Sequence, residues 1–105
     1  MINGSFNEVA NVNDASNATF EVIPANATRR WEIATLLVST NTAGNFTVKS
    51  GTNTLIGPVY VAANTVTIID PPSGTIKLNK GEALNITKGT AGHGYTVYAQ
   101  YRDMG

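Results

Sequence analysis

"RWEIATLLVSTNTAGNFTVKS", Arg30 to Ser50, decides how the rest of the chain is read. Its first part overlaps "RRWEIATLL" (Arg29 to Leu37), whose apolar spacing fits either a helical or an extended period. The continuation favours the strand: "VST" adds β-branched residues, and "NTAGN" (Asn41 to Asn45) puts Gly and Asn where a tight hairpin needs positive φ. "NFTVKS" (Asn45 to Ser50) then resumes with alternating apolar side chains. A long central strand turning directly into a second one is the expected structure. Strands this close in sequence leave no room for a crossover helix, so they pair antiparallel.

Working outward, the same grammar repeats. Short runs rich in Val, Ile, Thr, Tyr and Phe occur at Thr19 to Ile23, Thr54 to Gly57, Val59 to Ala62, Thr65 to Asp70, Thr75 to Asn79, Ala83 to Thr87 and Tyr95 to Tyr101. "SGTN" (Ser50 to Asn53) and "DPPSG" (Asp70 to Gly74) separate them and are expected to reverse the chain. Alternation assigns Tyr95, Val97, Ala99 and Tyr101 to one side of the last strand, and Thr96, Tyr98, Gln100 and Arg102 to the other. Leu84 with Ile86, Val66 with Ile68, and Ile76 with Leu78 are likewise expected to point inward. Eight or nine short strands with one apolar face each predict an all-β, antiparallel β-sandwich over residues 19–105.

The first eighteen residues, "MINGSFNEVANVNDASNA", are rich in Asn and weakly patterned. They are expected to form an extended or flexible arm, with Phe6 and Val9 available to a neighbouring subunit.

Composition narrows the function. The 105 residues suffice for a single core, and charged residues make up only 13%, about half the usual share. Seven Lys and Arg balance seven Asp and Glu, so no basic field attracts nucleic acid or anionic lipid. Cysteine is absent, which removes disulfides, thiolate nucleophiles and Cys-based metal sites. No apolar run approaches the roughly 18 residues of a membrane span, and the amino terminus lacks the basic and apolar regions of a secretory signal. A soluble, non-exported chain is expected, and the Asn-x-Ser/Thr sequences at Asn17, Asn26, Asn45 and Asn85 read as chance products of composition.

Catalysis finds little support. His93 is the one histidine, and a general base or metal ligand needs partners to orient it and to react. The carboxylates Glu8, Asp14, Glu21, Glu32, Asp70, Glu82 and Asp103 form no paired motif. "AGHG" reads as a loop tip with its imidazole in solvent. There is no phosphate-binding glycine loop and no calcium loop, and no catalytic, metal or cofactor residue is assigned. Trp31, Tyr60 and Tyr98 remain as aromatic side chains suited to an interface, although Trp31, flanked by Ile33 in a long strand, reads more readily as core or a core edge.

"WEIATLLVSTNTAGNFTVKSGTNTLIGPVYVAANTVTI", followed by "GTIKLNKGEALNITKGTAGHGYTVYAQYR", resembles small virion proteins of tailed bacteriophages, the head-decoration and accessory proteins built as β-sandwiches or jelly rolls. The resemblance covers about two-thirds of the chain and implies a jelly-roll-like sandwich on the phage particle. It implies a non-enzymatic structural protein, made in the host cytoplasm, that binds the major capsid protein or other virion proteins as a homo-oligomer, with a trimer favoured. The alternative reading is a glycan- or receptor-binding module of a tail or fibre. A cupin-like metalloenzyme is disfavoured, since its metal site needs several histidines.

Overall fold

The computed structural model describes residues 8–69, 75–90 and 92–104. Among them, nine strands follow in order: β1 (Glu8–Asp14), β2 (Thr19–Ile23), β3 (Trp31–Thr40), β4 (Gly44–Ser50), β5 (Asn53–Val61), β6 (Thr65–Ile69), β7 (Ile76–Lys77), β8 (Leu84–Lys88) and β9 (Tyr95–Asp103). Sheet A has the order β1-β9-β3-β6, with β7 also paired to β3, and sheet B has the order β2-β8-β4-β5. Every pairing is antiparallel. In the ambiguous Arg29 to Leu37 window, Trp31 onward belongs to a strand, as expected, while Arg29 and Arg30 precede it.

Sheet A contains one interrupted strand. Ile69 pairs with Leu36 and Ile76 with Ile33, so β6 and β7 run the same way along the same side of β3. Counted as one, they leave eight strands dealt between two four-stranded sheets in the order of a jelly roll. This corrects the expectation that "DPPSG" reverses the chain: the strand resumes in its original direction. Residues 70–74 themselves lie outside the described residues.

β1 is a second departure from the sequence reading. Residues 8–14, expected within an extended or flexible arm outside the sandwich, pair in unbroken register with β9 from Glu8 opposite Tyr101 to Asp14 opposite Tyr95. Only the small or medium side chains of Ala10 and Val12 pack against the core, too weak an apolar pattern to announce a strand. Phe6 lies outside the described residues.

Between the sheets, Ile33, Leu36 and Val38 of β3 meet Phe46 and Val48 of β4, Leu84 and Ile86 of β8, and Val97 and Ala99 of β9, all wholly buried. Each large side chain of this set contributes roughly 2 kcal/mol by leaving water. Ile33 and Leu36 are three residues apart yet share the inner face, because the register with β9 shifts between Ile33 and Thr35. Ile76, Leu78, Leu84 and Ile86 point inward as expected.

Val66 and Ile68 do not. They stand 61% and 63% exposed, while Thr67 and Ile69 are half-buried. Pairing of Ile69 with buried Leu36, and of Thr67 with buried Val38, fixes the phase and turns Val66 and Ile68 outward.

The runs Thr54 to Gly57 and Val59 to Ala62, expected as two strands, are joined in β5, the edge of sheet B. Gly57 is at φ 125°, and a Cβ there would lie 3.0 Å from both the Phe46 carbonyl oxygen and Thr47 Cα. Gly57 and Pro58 occupy the space opposite Thr47, so the strand is bulged. Bulges and a proline suit an edge, where they discourage pairing with other chains.

Candidate functional site

Three features outside the core carry side-chain chemistry: the outer face of sheet A, a polar notch at one end of that sheet, and a buried cation beside the notch.

Sheet register builds the outer face. One row runs Asn11, Tyr98, Leu37, Ile68 across β1, β9, β3 and β6, and the next runs Asn13, Thr96, Ser39, Val66. Val9, 52% exposed, stands on the same face opposite Gln100. Tyr98 and Leu37 are half-buried, so the centre of the face is apolar and reaches solvent through Ile68 and Val66. Further along β3 the face becomes ionic. Glu32 is buried between Lys77 and Arg102, with Arg102 Nε 2.5 Å and the Thr75 hydroxyl 2.7 Å from its carboxylate oxygens. Burial pushes the Glu32 carboxyl up, but the hydroxyl of Thr75 and the charges of Arg102 and Lys77 outweigh it and leave it below its ordinary range.

The notch lies over the start of β9. Asn13 and Asp14 at the end of β1 form one wall; Ser39 and Asn41 at the end of β3, with Asn64 from the β5–β6 turn, form the other; Thr96 lies between. Its volume is about 360 Å³. Gly94 lets the Asn41 side chain lie close, for a Cβ there would meet its amide nitrogen at 3.0 Å.

Beside the notch, Lys88 is withdrawn from solvent although it ends a strand. Its ammonium donates to Asp14 Oδ1 (2.6 Å), to the Asp14 carbonyl (3.1 Å) and to the His93 carbonyl (3.0 Å). It also sits 5.3 Å from the Phe20 ring centre and 5.6 Å from that of Tyr95. The Lys88 ammonium, assisted by amide donors of Asn17 and Ser16, holds the Asp14 carboxyl far below the usual carboxylate range.

His93 corrects its expected place in solvent. It is half-buried, and its Nδ1 is buried without a hydrogen-bond partner among the described residues. The ring folds back toward Gly44, where a side chain would lie 3.3 Å from that nitrogen. No group of three His, Asp or Glu able to hold a metal occurs among the described residues.

The expected interface residues divide. Val9 and Tyr98 share the outer face of sheet A. Tyr60, 76% exposed, belongs to the other sheet. Trp31 is half-buried at the core edge, its indole N–H donating to the Pro24 carbonyl at 3.0 Å and its ring edge-on to Tyr101 at 5.4 Å. Leu37, Val66 and Ile68 were missed. The signal available was adjacency: "LL" at 36–37 and "TVTII" at 65–69 place apolar side chains on both phases of a strand.

No helix among the described residues is long and apolar enough to cross a membrane. No protein-family model matches the chain, and a search of curated proteins returns no significant match.

Proposed function

We propose that this chain is a non-enzymatic virion structural protein of a tailed bacteriophage, a jelly roll that decorates or stabilises the head as an oligomer whose copies meet through the outer face of sheet A. The observation carrying this reading is the apolar centre of that face, where Ile68 and Val66 stand in solvent beside Leu37 and Tyr98. An antiparallel sheet with one face in water alternates apolar inside with polar outside. Here the outside of β6 is the more apolar side, which marks a contact surface. A second copy is the occupant best suited to it, since zero net charge leaves no long-range repulsion between copies. Gathering three copies about an axis covers a face that a small domain cannot cover alone.

Jelly rolls serve many unrelated functions, so the assignment to a virion rests on the sequence resemblance together with this face. The test is co-sedimentation with assembled phage heads and with free shell subunits, using the full chain and the double variant Val66→Thr, Ile68→Thr. Binding to heads alone, lost in the variant, is expected. Equal binding to heads and free subunits, or to neither, would overturn the reading.

A further inference from the structure

We infer that the notch over the start of β9 is a binding site for a neutral, hydroxyl-rich ligand, a terminal sugar of a glycan. The inference rests on other residues than the virion reading, although Asn13, Ser39 and Thr96 lie on the same outer face of sheet A, in the row that ends at Val66.

Its basis is the state of the amides around the notch. Asn13 Oδ1 accepts from the Thr96 hydroxyl at 2.6 Å, and Asn41 Oδ1 accepts from the Gly94 amide at 3.1 Å and the Thr42 hydroxyl at 3.1 Å. Each side chain is thereby held by its oxygen, while its NH2 group has no partner among the described residues. Asn64 has its backbone set, at φ 58° with its N–H on the Thr40 carbonyl at 2.8 Å, and its exposed side-chain amide has no partner among the described residues. The Asn13 and Asn41 donors, oriented before binding, cost little to order, and all three amides match the oxygens of a sugar.

Size and charge narrow the class further. A volume of about 360 Å³ falls at the lower end of small-molecule sites and suits one or two sugar rings. No Lys or Arg is among the residues forming the notch, and the Asp14 carboxylate is taken up by Lys88, Ser16 and Asn17. The nearest cation, Lys88, is turned to Asp14 and the His93 carbonyl and is sealed from solvent. An anionic ligand would find no free counter-charge among the residues forming the notch, so phosphates and acidic sugars are disfavoured. Trp31, the residue sequence reasoning would choose as a sugar platform, is engaged with Tyr101 and plays no part.

The experiment is a titration of the isotopically labelled full chain, followed by amide NMR, with methyl glycosides of glucose, galactose, mannose and N-acetylglucosamine, and separately with sialic acid. Saturable shifts at Asn41, Asn64, Gly94 and Thr96 with at least one neutral glycoside are expected. Asn64→Gly retains the turn conformation and removes the amide, and is expected to weaken binding about tenfold. Tyr60→Ser, on the other sheet and outside the notch, is expected to leave it unchanged. Three results would each overturn the inference: no shift with any neutral glycoside at tens of millimolar, shifts that survive Asn64→Gly undiminished, or a response to sialic acid alone.

Discussion

Lys88 Nζ and Asp14 Oδ1 lie 2.6 Å apart, joining the end of a sheet B strand to the end of a sheet A strand, with the lysine side chain fully shielded from water. The pair acts as a tie between the sheets at the open end of the sandwich. Three oxygens and two ring faces surround the ammonium, which compensates for the water it has lost.

The two halves of this pair are not equivalent. Asp14→Asn leaves a buried ammonium without its counter-charge and is expected to cost about 3 kcal/mol. Lys88→Met removes the charge and leaves Asp14 its bonds from Ser16 and Asn17, so the loss should be smaller. Urea unfolding at neutral pH measures both; a larger loss for Lys88→Met would refute the asymmetry.

The same carboxylate sets an acid limit. Asp14 is held below its ordinary range by Lys88, and Glu32 and Glu82 are also lowered, Glu82 chiefly by the Ser50 hydroxyl. Groups depressed on folding stabilise fully above their unfolded pKa, about 4, and lose that contribution as pH falls toward the folded values. Tyr95 and Tyr101 are raised by burial, so their contribution is complete below about pH 10 and is lost as pH rises through the folded values. Thermal unfolding across pH should show a plateau with an acid fall, shallower in Asp14→Asn, and an alkaline fall. An unchanged acid fall in that variant would remove Asp14 as its source.

Gly57→Ala tests the bulge in β5. The added Cβ meets backbone atoms of Phe46 and Thr47 at 3.0 Å, and the φ of 125° is one that alanine rarely adopts. A loss of about 2 kcal/mol is expected, readable as a lower urea midpoint. A change within a few tenths would show that the edge relaxes freely.

How much of this was legible depended on where apolar side chains fell. In β9, Tyr95, Val97 and Ala99 alternate with more polar neighbours, and the buried face could be read directly. In β6 both phases are apolar, so the face is decided by the register against β3, which a single strand does not encode. The continuation of β6 into β7 was hidden because "DPPSG" has the composition of a reversing turn, although the strand resumes beyond it. The notch was invisible for another reason: Asn13, Asn41 and Asn64 come from three separate segments, and only the jelly-roll order brings them to one end.

The outer face of sheet A offers a test that separates folding from association. Ile68 and Val66 make little use of their apolar surface within one chain, so replacing both by Thr should change the intrinsic stability by less than about 0.5 kcal/mol. If copies of the chain meet there, the native oligomer gains stability by mass action and its melting temperature rises with protein concentration. That dependence should vanish in Val66→Thr, Ile68→Thr, with light scattering giving the mass of a monomer. Tyr60→Ser, more exposed still but on sheet B, should leave both the mass and the concentration dependence as they were. A parent chain that is monomeric, with a melting temperature independent of concentration, would show that this face does not join copies in solution.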